Sequence, residues 1–425
     1  MRAYIRKVWE GWKWAQACIT GDLWFIHMSR AELQKLGKDA RKNHDKGSIS
    51  RLDAAIKSLN HRESILRMIA NSMVWTMFGA ERWKVRWLWT GTPPVSVTSI
   101  GYETSTFVDD INVNPDSVAL MTDITSLAGI GDVLVVDEKR GRKRPIICEL
   151  KAGSTNSQIV SLVEEYHGNI EQVPPGVLDA LGPHAQTHFE RVARQVERKD
   201  NFESIINNDI GKDPETGVDM QNIGEEAMNI DTYDSAFGEM MFTAAKSGSV
   251  IECIDGCLWI GIYYAASFQD KPWENFRQDI LDLGASGSSR VWNIQSASLH
   301  PRMQPIFLRN LHPESILDIL LGDALVLVYI DWDTFFQQAN YRDISARWTT
   351  RRERKEITEI YGRLEQAFRG DGYTPVFSNG ESKYLPLGGA AQRIVVEGTS
   401  PHSVLQMVEE GLRLLSAGGD LVGDI

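Results

Sequence analysis

The sequence predicts a mixed α/β (α+β) protein, and three patterns carry the prediction. Short β-branched runs at residues 133–136, 146–150 and 324–330 are bounded by glycine and charge, as strands are. Stretches with a 3.6-residue apolar period, such as 61–78 and 184–198, read as helices between them. The 425 residues, 42% hydrophobic and 24% charged, are enough for two or three domains and exclude a chain disordered throughout.

In chain order, Ser29 caps AELQKLGKDARK and RLDAAIKSL follows, so one or two polar helices brace residues 29–59. The next helix, 61–78, places Ile65, Met68, Ile69, Ser72 and Trp75 on one face and stops at Gly79. Residues 82–89 alternate with period two. Arg82, Lys84 and Arg86 fall on one side, Trp83, Val85, Trp87 and Trp89 on the other, which predicts a half-buried strand. Its basic face suits phosphate contact. It equally suits an edge strand guarded by charge, and both readings stay open. A strand over 95–107 and a short helix over 116–127 come next. GIGDVLVVDEKRGRKRPIICELKAG, residues 129–153, then reads as an antiparallel hairpin.

A helix at 158–167 follows, then the helix 184–198, on which Arg191, Arg194 and Arg198 share a face. Residues 200–239 hold 11 acids against the single base Lys212, which predicts a mobile acidic insertion. It is either a solvated loop or an autoinhibitory segment lying on a basic groove. An apolar strand at 256–267 comes next. The last third alternates strand 324–330, helix 351–368, the strand RIVVEG and a helix begun at Ser400 and Pro401. Three regions result: N-terminal helices over 1–60, a core over 61–268 with the acidic insertion near 200–240, and a C-terminal α/β accessory region over 269–425.

Net charge is −12, yet residues 1–90 carry 17 Lys/Arg and 8 Asp/Glu, so this basic N-terminal segment has the sign a nucleic acid needs. No run has the ~18–20 apolar residues of a membrane span, and the N-terminus lacks an apolar signal region. Four cysteines do not make a disulfide framework, so a cytoplasmic protein is expected. Cys253 and Cys257 lack the second ligand pair that zinc normally takes. No Walker A, G-x-G-x-x-G or G-x-S-x-G pattern occurs, which argues against a motor in this chain.

The chemistry gathers on Asp132, Glu149 and Lys151. Glu149 and Lys151 are two apart in a strand and share a face, while Asp132 begins the facing strand. Two carboxylates with the Leu150 backbone carbonyl offer the oxygen donors that Mg²⁺ or Mn²⁺ takes. Such an ion activates water and neutralises phosphodiester charge, and Lys151 positions that water or stabilises the transition state. The alternative is that Asp132 caps a turn and that Glu149 and Lys151 form a surface pair.

Gly131-Asp132 followed by Glu149-Leu150-Lys151, an interval of 17 residues between the acids, resembles the PD-(D/E)XK nucleases, the restriction-endonuclease-like superfamily. The resemblance covers about half the chain and implies an αβββαβ core formed by helix 61–78, strand 82–89, the hairpin, helix 184–198 and strand 256–266. It implies a metal-dependent nuclease, DNA more than RNA as substrate, and a setting in anti-phage defence or restriction. His184-Ala185-Gln186 resembles the H-x-Q segment of the RecB-like exonuclease members, which makes Gln186 a supporting residue, with Gln158 and Gln195 competing. The upstream helical acid of the family corresponds to Glu63, with Glu81 second. Arg142, Lys143 and Arg144 at the hairpin tip, with Arg82, Lys84, Arg86, Arg191 and Arg194, are the candidate nucleic-acid contacts. Asp331 and Asp333 form a D-x-D that suits a second metal or a turn. A homo-oligomer or a partner protein fits a chain without a motor. The other readings are a non-catalytic nucleic-acid-binding or scaffold subunit, and a ligand-gated nuclease effector.

Overall fold

The computed structural model describes residues 2–89, 102–127, 131–137, 145–150, 154–182, 184–208, 210–212, 219–221, 230–265, 271–287, 289–300, 303–361, 373–380, 382–384 and 389–416. It is a mixed helix and sheet protein of two compact units, Met1–Glu215 and Thr216–Ile425. No described helix is long and apolar enough to cross a membrane.

The first unit opens with two long helices, α1 (Arg2–Lys42) and α2 (Lys46–Met77). A tight turn reverses the chain, with His44 in the left-handed region at φ 55° and the Asp45 carboxylate accepting the Ser48 N–H at 3.0 Å. The ion pairs Arg41–Asp53, Arg30–Glu63 and Arg62–Asp22 run down the resulting antiparallel hairpin. α1 buries Trp9, Ile19, Leu23 and Ile26 at helical spacing. α2 is continuous through residues 60 and 61, so it bridges the regions expected to divide there.

The expected strand at 82–89 is instead a 3₁₀ helix, Gly79–Leu88, kinked at Glu81. Val85 and Leu88, three apart, are both buried, as three residues per turn requires. α3 (Tyr102–Asn112) takes up the end of the expected strand 95–107, whose earlier residues lie outside the described ones. The expected helix 116–127 is strand β1 (Ser117–Met121) followed by a 3₁₀ turn, Thr122–Ile124. All five residues of β1 are buried, so the segment has no polar face to offer a helix in water.

The hairpin is present. β2 (Val133–Asp137) pairs antiparallel with β1 and with β3 (Ile146–Cys148), in register Val133↔Met121 and Val133↔Cys148. β1 is the sheet edge, and side chains complete its unpaired backbone. Gln16 on α1 donates to Ala119 O and accepts from Met121 N, and Asn112 bonds both the N–H and the carbonyl of Ala119. α4 (Ser154–Glu165) and α5 (Ala185–Asn208) pack through Ile159, Val163, Phe189 and Val192. α5 runs past Arg198 into the expected acidic insertion because Phe202, Ile205 and Ile206 are buried there. β4 (Ile210–Lys212) ends the unit's described elements.

The second unit begins with β5 (Asp219–Gln221) and α6 (Asp234–Ser247), so part of the insertion is helix here too. β6 (Ser249–Ile254), β7 (Leu258–Tyr264), β8 (Val291–Asn293) and β9 (Ala324–Ile330) form an antiparallel sheet in the order β6-β7-β9-β8. β7, expected as the last strand of the nuclease-like core, therefore lies between β6 and β9, and the sheet of β1–β3 does not include it. α7 (Pro272–Asp282), α8 (Ile294–Ser298) and α9 (Pro313–Leu321) connect these strands.

After α10 (Trp332–Asn340), β10 (Ser345–Trp348), β11 (Pro375–Asn379) and β12 (Ser382–Tyr384) form a second sheet, with α11 (Arg351–Tyr361) between β10 and β11. The expected strand RIVVEG begins inside a helix, α12 (Gly389–Val395). Ala390, Ala391, Ile394 and Val395 are buried at i, i+1, i+4 and i+5, a helical stripe that a strand would split between two faces. α13 (Pro401–Ser416) closes the described chain.

Candidate active site

Asp132 enters β2 through Gly131, whose φ of 127° is poorly accessible to other residues. A Cβ at Gly131 would sit 2.5 Å from Ile147 Cγ2 and 3.1 Å from Cys148 O, so the glycine lets the two strand ends close. Asp132 N–H donates to Cys148 O at 2.9 Å, and the Leu150 N–H donates to Asp132 Oδ2 at 2.6 Å. That last bond fixes the carboxylate against the end of β3. The paired ladder ends at Val133↔Cys148, and Asp132 and Glu149 lie one residue beyond that last pair on the two chain segments.

The turn after β1 is tied to the same point. Thr122 N–H donates to Asp132 O at 3.0 Å, and the Thr122 hydroxyl donates to Gly131 O. From α2, Arg67 reaches this turn with Nη1 donating to Asp123 O at 2.7 Å and Thr125 O at 3.0 Å, and Asn71 Oδ1 accepts from Ser126 N at 2.9 Å. Burial pushes the Asp123 carboxyl up from its ordinary value. The Arg67 guanidinium counters this, and the negative charge of Glu149 adds to it. Asp123 is thus a third acid within electrostatic reach of the hairpin's end, one the sequence reading passed over inside an expected helix. Its signal was an acid two residues after the apolar run VALM.

Glu63 accepts from Arg30 Nη1 at 2.6 Å and from Arg67 Nε at 3.0 Å. Burial opposes its charge, but the two guanidiniums outweigh burial and hold the carboxyl below its ordinary value. Glu63 therefore meets the site through Arg67, as the anchor of the residue that grips the 122–125 turn. Lys151 lies outside the described residues. Gln186 is exposed in the first turn of α5, and no hydrogen bond joins it to Asp132 or Glu149. Among the described residues, no group of three or more His, Cys, Asp or Glu side chains is placed to hold a metal ion.

The nucleic-acid candidates divide. Lys84 is fully buried, its ammonium donating to Ile206 O at 2.8 Å and paired with Glu81 at 3.3 Å, so it does not present charge to a phosphate. A buried ammonium needs these oxygens in place of water, which makes Lys84 a tie between the 3₁₀ helix and α5. Arg191, Arg194 and Arg198 are exposed on α5. The side chains of Arg82 and Arg86, and all of residues 138–144 including Arg142, Lys143 and Arg144, lie outside the described ones.

In the second unit, Asp331 caps α10. Its carboxylate accepts from Thr334 N, Ser286 N and Ser286 Oγ, so the first acid of the D-x-D is committed to a turn. Cys253 is exposed and Cys257 buried at the β6–β7 turn. Burial pushes the Cys253 thiol up to about 11 and Cys257 higher still, which suits idle thiols better than metal ligands. Comparison of the chain with protein-family models, with curated proteins and with solved structures finds no match.

Proposed function

We propose that this chain is a cytoplasmic, metal-dependent nuclease of the PD-(D/E)XK type acting on nucleic acid, DNA more than RNA, in an anti-phage defence or restriction setting. The observation that carries the reading is that Asp132 and Glu149 lie one residue beyond the last pair of the β2–β3 ladder, with the Asp132 carboxylate oriented by the Leu150 N–H. The antiparallel meander β1-β2-β3, with α1 and α3 packed on β1, is consistent with the helix-flanked sheet of a restriction-endonuclease-like core.

The donor set fits Mg²⁺ or Mn²⁺. Asp132, Glu149 and the Leu150 carbonyl offer only oxygen, and the mutual field of Glu149 and Asp123 is one a cation relieves. When bound, the ion supplies an activated water and neutralises charge on the phosphodiester. Asp132 and Glu149 would hold it, Arg67 keeps the 122–125 turn in place beneath Asp132, and Lys151 would orient or deprotonate the attacking water. Arg191 and Arg194, both exposed on α5, would meet backbone phosphates.

The test is cleavage of plasmid, linear duplex, single-stranded DNA and RNA with Mg²⁺, Mn²⁺ or chelator, comparing wild type with Asp132→Ala and Lys151→Ala. Metal-dependent cutting that both variants lose supports the reading. Cutting that survives in both overturns it. A folded wild type that cuts nothing and binds no metal, yet binds DNA in a salt-sensitive way, replaces it with the scaffold reading.

A further inference from the structure

Helix α1 carries a second, exposed face. Its core side is Trp9, Gln16, Ile19, Leu23 and Ile26. On the opposite side Tyr4, Lys7, Gly11, Trp14, Cys18, Gly21, Phe25, Met28 and Glu32 recur at alternating spacings of three and four, and all are exposed. This is a heptad seam. Tyr4, Trp14, Trp24, Phe25 and Met28 are 72, 73, 53, 58 and 49% exposed, which at ~200 Å² per large side chain leaves roughly 600 Å² of apolar surface on one helix. A monomer seldom shows a larger patch, and two copies brought together would bury roughly 1,200 Å², where specific interfaces begin.

Two further features say what covers the seam. A Cβ at Gly11 or at Gly21 would meet nothing within 4 Å, so neither glycine is required by the chain's own packing, although glycine weakens a helix interior. Glycine at a seam position lets a second helix approach closely. The seam is also complementary to itself when reversed. About a two-fold axis between residues 19 and 20, the layers are Lys7 with the partner's Glu32, Gly11 with the partner's Met28, Trp14 with the partner's Phe25, and Cys18 with the partner's Gly21. Each layer matches opposite charge, small with large, aromatic with aromatic, or small with small, in the alternation of an antiparallel coiled coil.

We propose that the outer face of α1 is a homodimer interface, in which α1 packs antiparallel against α1 of a second copy of this chain with Trp14 on the partner's Phe25. The inference uses α1 alone and stands apart from the reading of the acid pair.

Sedimentation velocity of the full chain tests it. Wild type should sediment at twice the chain mass at micromolar concentration, and Trp14→Glu with Phe25→Glu should raise the dimer Kd about 100-fold or more at unchanged helical circular dichroism. Lys7→Glu should weaken the dimer, and adding Glu32→Lys should restore it. Gly21→Cys should cross-link to the partner's Cys18 under a mild thiol oxidant, and Cys18→Ser should abolish that cross-link. A wild type at single-chain mass, a dimer indifferent to the Trp14/Phe25 change, or a charge swap that fails to restore association overturns the proposal. So does a monomer that floats with vesicles of anionic phospholipid in a Trp14- and Phe25-dependent way, which would make the seam a membrane surface.

Discussion

Replacing Arg67 by Met keeps an unbranched apolar stem in the buried position and removes the charge and the donors. Arg67 is 3% exposed, pairs with Glu63 at 3.0 Å, and donates to Asp123 O and Thr125 O at 2.7 and 3.0 Å. Removing one partner of a buried ion pair costs about 3–5 kcal/mol, and hydrogen bonds from a charged donor are worth about 1.5–3 kcal/mol each. These overlap, and the variant no longer desolvates a guanidinium, so the net loss is about 3 kcal/mol. For a unit of this size that lowers Tm by about 6–12 °C, measured by calorimetry on the full chain. Glu63→Gln keeps a hydrogen-bond acceptor for Arg67 and should lose less. A Tm change under about 2 °C for Arg67→Met would refute the role of Arg67 as the clamp on the 122–125 turn.

Gly131→Ala forces a Cβ to within 2.5 Å of Ile147 Cγ2 at a φ of 127°, which should cost about 3 kcal/mol and show as a lower unfolding midpoint in urea; an unchanged midpoint contradicts the close approach. Lys84→Met should leave nucleic-acid affinity unchanged while lowering stability. Arg191→Ala with Arg194→Ala should weaken binding across all sequences and reduce the salt slope by about 2, so a binding loss confined to Lys84→Met would reverse these assignments. Hydrogen bonding from Arg347 and from the Thr350 N–H, with burial opposing, takes Glu353 from its ordinary 4.5 down to about 2. Its folded value is the lower one, so its contribution is complete above pH 4.5 and is lost as pH falls toward 2. Because the pair is largely exposed the contribution is under about 1 kcal/mol, and an NMR titration of Glu353 with a midpoint near 4.5 would contradict it.

The hairpin and β9 were legible because a buried strand announces itself through a short β-branched run with charged or glycine ends. The stop at Gly79 followed from local chemistry, whereas Ser29, read as a helix cap, lies inside α1, which runs unbroken from Arg2 to Lys42. Three elements misled for physical reasons. Residues 82–89 alternate in polarity, but Lys84 is buried by finding Ile206 O and Glu81, a tertiary circumstance no local pattern contains. β1 looked helical only because its five residues are too few to reveal a period. The RIVVEG segment is β-branched in composition and helical by packing, with Ile394 and Val395 continuing the stripe of Ala390 and Ala391. At the site, Asp132 and Glu149 were readable from their spacing and from Gly131. Asp123 and Arg67 were not, since their part depends on how the 122–125 turn meets α2.

The account rests on Asp132 and Glu149 holding one metal ion at the end of the β2–β3 ladder, and calorimetric titration of Mg²⁺ and Mn²⁺ into the full chain tests that most directly. Wild type should bind, and Asp132→Asn and Glu149→Gln should each weaken binding about 10-fold or more without changing the fold. Variants that bind metal as tightly as wild type would contradict the claim that these two residues hold it together.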